Sequence, residues 1–251
     1  MGGALVRDPL VMAIFESCYT IIGDGRVARH FSHYLSLLKI PQFRWARSSS
    51  SERDLAQYLA NSSHVLILIS DSAIEKFVES LLDVSGKRLV HFSGSLVTPA
   101  AYGAHPLMAF TGKLYSLDQY TKIPFVLDEG QVTFQDLLPG LENPHYFIKP
   151  ELRPLYHAFC VASGNFTTVL WNHFFASLEN RFGIPPEAAF PYLEQIGENL
   201  KDRSIPALTG PLARKDWETI ESNLKALQGD PLQKVYYGFL EALNLKIREN
   251  Y

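Results

Sequence analysis

The chain has 251 residues and a formal net charge of -3, with 47% hydrophobic and 20% charged residues. That composition supplies a sizeable core, and it excludes both disorder and the basic field that draws a protein to nucleic acid or anionic lipid. Cysteine occurs only at Cys18 and Cys160, far apart and without a Cys-x-x-Cys pair, which excludes a disulfide scaffold and a cysteine-rich zinc site and fits a reducing cytoplasm.

In chain order, the apolar run Leu10 to Phe15 is too short for a signal peptide, and Val6 breaks the myristoylation pattern that Gly2 would begin. The first 17 residues read as a lead-in to a strand at Tyr19 to Ile22. A helix follows over Val27 to Leu38, with Val27, Phe31, Tyr34, Leu35 and Leu38 on one face. Further strands are expected at Phe43 to Ala46, His64 to Ser70, Arg88 to Ser93 and Ile123 to Asp128. Helical spacing separates them at Leu55 to Leu59 and Ala73 to Leu82. Strands alternating with helices indicate a parallel α/β sheet over residues 1–150.

From Glu151 the pattern is helical to residue 251. Pro154 suits a helix first turn, Gly183, Pro185 and Pro186 stop that helix, and Asp216 and Asp230-Pro231 are helix starts. The last helix carries Val235, Phe239, Leu240, Leu243 and Ile247 on one face. Leu155 to Leu178 holds no Asp, Glu, Lys or Arg. Its polar groups His157, Ser163, Asn165, Thr168, Asn172 and His173 favour a buried helix over a membrane span.

The turn Gly23-Asp24-Gly25-Arg26-Val27-Ala28 lies between the first strand and its helix. The pattern is either a tight turn or a dinucleotide fingerprint. In the second case Gly23 makes the turn, Gly25 lets backbone approach a pyrophosphate and Ala28 lets helix and strand pack closely. Asp24 would repel a pyrophosphate unless turned away, and Arg26 is the expected counter-charge. At the end of the second strand Arg47 replaces the acid that binds a ribose 2′-hydroxyl, and Ser48 to Ser51 follow. A guanidinium with hydroxyls suits a 2′-phosphate and favours NADP over NAD, the other reading being a solvated loop. Ser70, closing the third strand, is placed with the cofactor set.

Leu89 to Phe110 starts at the carboxyl end of a strand, where open α/β sheets bind ligands, and gathers His91, Ser93, Gly94, Ser95, Gly103 and His105 in what reads as a loop. His105 is the candidate acid/base, because imidazole titrates near neutrality. Ser93 and Gly94 would stand beside it, the alternative for each histidine being a structural hydrogen bond. His157, Val161, Asn165, Thr168 and Asn172 fall near one helical face. Asn165 is either a catalytic or substrate contact or a helix–helix contact. Arg214 is either a carboxylate anchor or a surface charge.

The motifs IIGDGRVARH, ISDSAI, VHFSGSL, GAHPLMAF, YHAFCVASGN and TGPLARKD together resemble the Rossmann-like proteins that carry the C-terminal domain of unknown function 2520. These are related to 6-phosphogluconate dehydrogenase, pyrroline-5-carboxylate reductase and ketopantoate reductase. AHPLMAF is also similar to the His-Pro motif of prephenate dehydrogenase, whose catalytic role would fall on His105. The resemblance implies a Rossmann-type parallel sheet followed by an all-helical 6-phosphogluconate dehydrogenase-like domain, 1–150 and 151–251, with substrate in a cleft between the two domains and dimerisation through the helical one. The expected activity is NADP-dependent hydride transfer to or from a small carbonyl, imine or hydroxy acid. A cofactor-binding sensor, or a turn that binds nothing, is the alternative. No metal, nucleic-acid or membrane partner is expected.

Overall fold

The computed structural model describes residues 18–245 except 82–83, 131, 203 and 205. The lead-in before Cys18, Leu82 of the third expected helix and Ile247 of the last lie outside the described residues.

Strands β1 (Tyr19–Ile22), β2 (Gln42–Trp45), β3 (His64–Ile67), β4 (Arg88–His91), β5 (Tyr102–Pro106), β6 (Phe125–Asp128) and β7 (His145–Ile148) form one sheet in the order β2-β1-β3-β4-β5-β6-β7. All pairs are parallel except β5 with β6, where Ala104 faces Leu127 and His105 faces Val126. The sheet is thus the expected α/β type with one antiparallel junction. β5 and β7 were not expected, and His105 stands on a strand rather than in a loop. β5 escapes sequence reading because Gly103, Ala104 and Pro106 are poor strand formers; pairing with β4 and β6 makes it a strand.

Side-chain alternation along β1 assigns the two faces. Tyr19 and Ile21 join Phe31, Tyr34 and Leu35 of α1 (Arg26–Leu37) in one core. Ile22 joins Trp45, Leu59 of α2 (Glu52–Ala60), and Ile74 and Phe77 of α3 (Asp71–Ser80) in the other. Full burial of a ring such as Phe31 contributes about 2–3 kcal/mol. The chain runs from β1 to β2 on one side and crosses back to β3 on the other. The carboxyl ends of β1 and β3 therefore flank a topological switch, where open α/β sheets open a crevice.

Two short helices, α4 (Leu117–Thr121) and α5 (Phe134–Leu137), precede β6 and β7. After β7, a 3₁₀ turn (Pro150–Leu152), α6 (Arg153–Cys160), a π-helical turn (Val161–Phe166) and α7 (Thr167–Phe182) follow without interruption. The first compact unit extends through Val169 and the second starts at Leu170, so α6, expected with the helical part, packs with the sheet. The anchor is Arg153, whose side chain is fully buried.

The second unit is helical: α8 (Phe190–Lys201), α9 (Gly210–Arg214), α10 (Trp217–Ala226) and α11 (Leu232–Ala242). Its core comprises Ile220, Leu224 and Leu240, with Trp217 and Tyr236 against them. Asp216 caps α10 by accepting from the Thr219 amide at 3.2 Å, and Asp230 accepts from Leu232 N at 2.9 Å, as expected at both helix starts. The expectation of a buried helix over 155–178 is not met. Phe159 is 64% and Phe166 59% exposed, and only Leu178 of α7 is buried. Among the described residues, no helix is long and apolar enough to cross a membrane.

Candidate functional site

Gly23 is obligatory on two counts. Its φ is +126°, and a Cβ there would lie 2.3 Å from the Leu68 carbonyl oxygen. Its amide donates to Trp45 O at 2.9 Å, holding the turn to β2. Gly25 is the N-cap of α1 with ordinary extended backbone, and a Cβ on it would meet nothing within 4 Å. Neither a side-chain cap nor an acidic residue occupies the first turn of α1, so its free amides and positive dipole end face open space, as an anion requires. Ala28 is fully buried beneath the turn.

Asp24 does not point its charge at that space unopposed. Its carboxylate pairs with Arg44, from the middle of β2, and lies 3.8 Å from Arg29. Arg26, the expected counter-charge, is exposed; the strand arginine takes its place because β2 lies alongside β1.

Two adjoining concavities open here. One, of about 340 Å³, is lined by Gly23, Asp24, Arg47, Ser48, Ser70 and Phe77 among others. The second, of about 510 Å³, is lined by Gly25, Arg26, Val27, Ser70, Phe92 and Ser93, and both share Gly23 and Asp24. Because Ile22 pairs with Trp45, Asp24 and Arg47 stand at equal steps beyond the two strands. The other serines of the run have backbone work. The Ser49 and Ser50 amides donate to Ala46 O, and Ser51 forms a capping box with Asp54 at the start of α2.

A histidine cluster forms where β4, β5 and α6 meet. His105 Nδ1 is 2.8 Å from Tyr156 Oη, and the His105 and His157 ring centroids are 5.9 Å apart. A Cβ on Gly94 would lie 2.3 Å from His157 Cδ2 and 3.1 Å from His105 Nε2, so any side chain there would displace one of the two rings. Burial first, then His157 and Arg153, pulls the His105 pKa down to about 4. The ring is neutral at pH 7, which corrects the expectation of titration near neutrality. His91 is drawn down to about 4 as well, by burial and then Arg153, and its Nδ1 accepts from Ser93 N at 3.2 Å. Burial and then Cys160 raise the Tyr156 phenol, which stays protonated.

Ser93 is beside this cluster, but its hydroxyl is committed. It donates to Asp71 Oδ2 and accepts from the Leu96 amide at 2.9 Å, so it shapes the loop and has no proton left to offer a substrate. Its carbonyl accepts from Arg153 Nη1 at 2.9 Å; the same guanidinium reaches Val126 O at 3.1 Å and pairs with Asp128. A Cβ on Gly103 would come within 2.6 Å of Arg153 Nη2. Asn165 is exposed in the π-helical turn, and Arg214 is exposed on α9 in the second unit.

Sequence reasoning missed Tyr156, Arg153, Asp71 and Arg44. The adjacency of Tyr156 to His157 in YHAFC was legible, but a separation of 51 positions between His105 and Tyr156 carries no spacing signal.

No match was found among curated proteins. Residues 127–242 match the family model described as Domain of unknown function (DUF2520). Among solved structures, the chain is similar to the "putative NADP oxidoreductase BF3122" from Bacteroides fragilis, at 22% identity over 93% of this chain and 100% of that one, TM-score 0.72. It is also similar to protein TM1727 from Thermotoga maritima, at 23% identity over 90% and 96% of the two chains, TM-score 0.65. A reductive aminase from Aspergillus terreus, in complex with NADPH and ethyl levulinate, matches at 14% identity over 93% and 94%, TM-score 0.60. The chain therefore has the fold of these structures, a Rossmann-like α/β sheet followed by helices, and resembles the DUF2520 model over residues 127–242.

Proposed function

We propose that the chain is an NADP-dependent oxidoreductase acting on a small carbonyl, imine or hydroxy acid. The observation that carries this reading is the placement of Arg47 and Ser48 on the same concavity as Gly23, Asp24 and Ser70. The Gly25 to Val27 amides at the head of α1 receive the pyrophosphate, Ala28 lets the helix approach, and Arg47 with Ser48 holds the 2′-phosphate by charge-assisted bonds. Asp24 is tolerated because Arg44 neutralises it. Similarity to structures that hold NADPH supports the cofactor class. When bound, the nicotinamide supplies or accepts the hydride. His105 meets the oxygen or nitrogen of the reacting group, Gly94 lets its ring and His157 approach each other, and Asn165 is a further substrate contact. A second copy covering the helical unit is part of this reading, supported by Phe182, Tyr192 and Leu200 at 60–64% exposure.

Substrate-dependent oxidation of NADPH tests the proposal, with a panel of ketones, imines and 2-oxo acids. At least one compound should be reduced, and His105→Ala should lower its turnover by roughly 10²-fold or more while leaving the NADPH Kd within about twofold. NADPH binding without turnover on any compound would replace the enzyme with a cofactor sensor.

A further inference from the structure

The His105 ring is held from two sides by consecutive residues of α6. Tyr156 Oη is 2.8 Å from Nδ1, with the two rings nearly perpendicular at 79°. His157 stands edge-on at 86° against another side of the same imidazole. The Nε2 edge lies beside Gly94, where a Cβ would stand 3.1 Å from Nε2 and 2.3 Å from His157 Cδ2. Among the described residues, Tyr156 is the hydrogen-bond partner of the His105 ring. A phenol is a better donor than acceptor, and the bond made at one ring nitrogen decides which nitrogen carries the proton.

We propose that Tyr156 is a positioning residue whose hydroxyl donates to Nδ1 of His105, so that Nε2 carries the ring proton and is presented over Gly94 as an N–H donor. This rests on the reading of His105 as the residue that meets substrate. Burial keeps both partners in the required form, the phenol protonated and the imidazole uncharged. The consequence is a substrate class. A neutral N–H donor recognises a lone pair, so the site takes a carbonyl oxygen or an unprotonated imine nitrogen and disfavours an iminium, which offers no lone pair. His105 then polarises the acceptor as an electrophile rather than acting as an imidazolium acid.

Nitrogen NMR of the full chain, labelled with ¹⁵N at histidine and recorded at pH 7, tests this, with the His105 signals assigned by their loss in His105→Gln. The expected spectrum has His105 protonated at Nε2 and bare but hydrogen-bonded at Nδ1. In Tyr156→Phe the Nδ1 resonance should move downfield to the position of an unbonded ring nitrogen. Protonation at Nδ1 in the wild type would overturn the proposal on the wild-type spectrum alone, and so would an unchanged Nδ1 resonance in a folded Tyr156→Phe variant. A separate NADPH titration keeps the readings apart. Absence of cofactor binding removes the oxidoreductase reading and leaves the tautomer assignment standing.

Discussion

Asp24 and Arg47 occupy equivalent steps beyond paired strands, yet their charges have opposite fates. Asp24 is cancelled by Arg44 within the fold, whereas Arg47 is exposed on the concavity. Arg47→Ala should therefore weaken NADPH by about 10- to 100-fold, the value of a charged hydrogen-bond set near 1.5–3 kcal/mol, and leave NADH almost unaffected. Equal weakening of both cofactors in a titration would move Arg47 to a structural role. At this scale the turn at Gly23 and the position of Arg47 just past β2 were legible because both are local in sequence. The partners of Asp24 and His105 were not, because Arg44 and Tyr156 reach them through strand pairing and helix docking.

The element that organises the histidine cluster is α6, and Arg153 at its first position ties it to the sheet. The guanidinium is fully buried with Asp128, and it also holds Ser93 O and Val126 O. Removing one partner of such a pair strands the other charge in the core. Arg153→Met should cost about 3–5 kcal/mol in urea unfolding, and a second change of Asp128 to Leu should recover part of that loss. A single variant within 1 kcal/mol of wild type would mean that the pair does not hold α6. The apolar runs of β1, β3, β4 and β6 were readable as strands, since buried parallel strands are apolar on both faces. β5 was not, and neither was the docking of α6 on the sheet. Both are set by partners distant in sequence, β6 for the strand and Asp128 for the helix. The π-helical turn carrying Asn165 left no mark in the spacing of apolar residues.

For the whole molecule, acid should be destabilising over a defined window. His91 and His105 both have folded values near 4, below the usual 6.5. Above about pH 6.5 each ring is neutral folded and unfolded, and contributes no pH dependence. As pH falls from about 6.5 to about 4, the unfolded chain binds protons that the folded chain refuses. Stability drops by on the order of 3 kcal/mol per ring and then levels off. His91→Asn, which keeps an acceptor for Ser93 N, should remove about half of that drop in urea midpoints measured across the window. A midpoint flat from pH 7 to pH 4 would contradict the burial account. Sedimentation should show a dimer in which Tyr192→Glu and Leu200→Glu together produce monomer. A wild-type monomer would instead leave this exposed face without its second copy.

The concavity at the β1 turn is the centre of the proposed activity, and calorimetric titration of the purified chain with NADPH, with NADH in parallel, tests it directly. NADPH should bind tighter than NADH by at least about tenfold, the contribution of Arg47 and Ser48 to one phosphate. Equal affinity for the two would contradict the assignment of Arg47. No heat with either would leave Gly23 to Ala28 as a turn alone, and the proposed activity would fall with it.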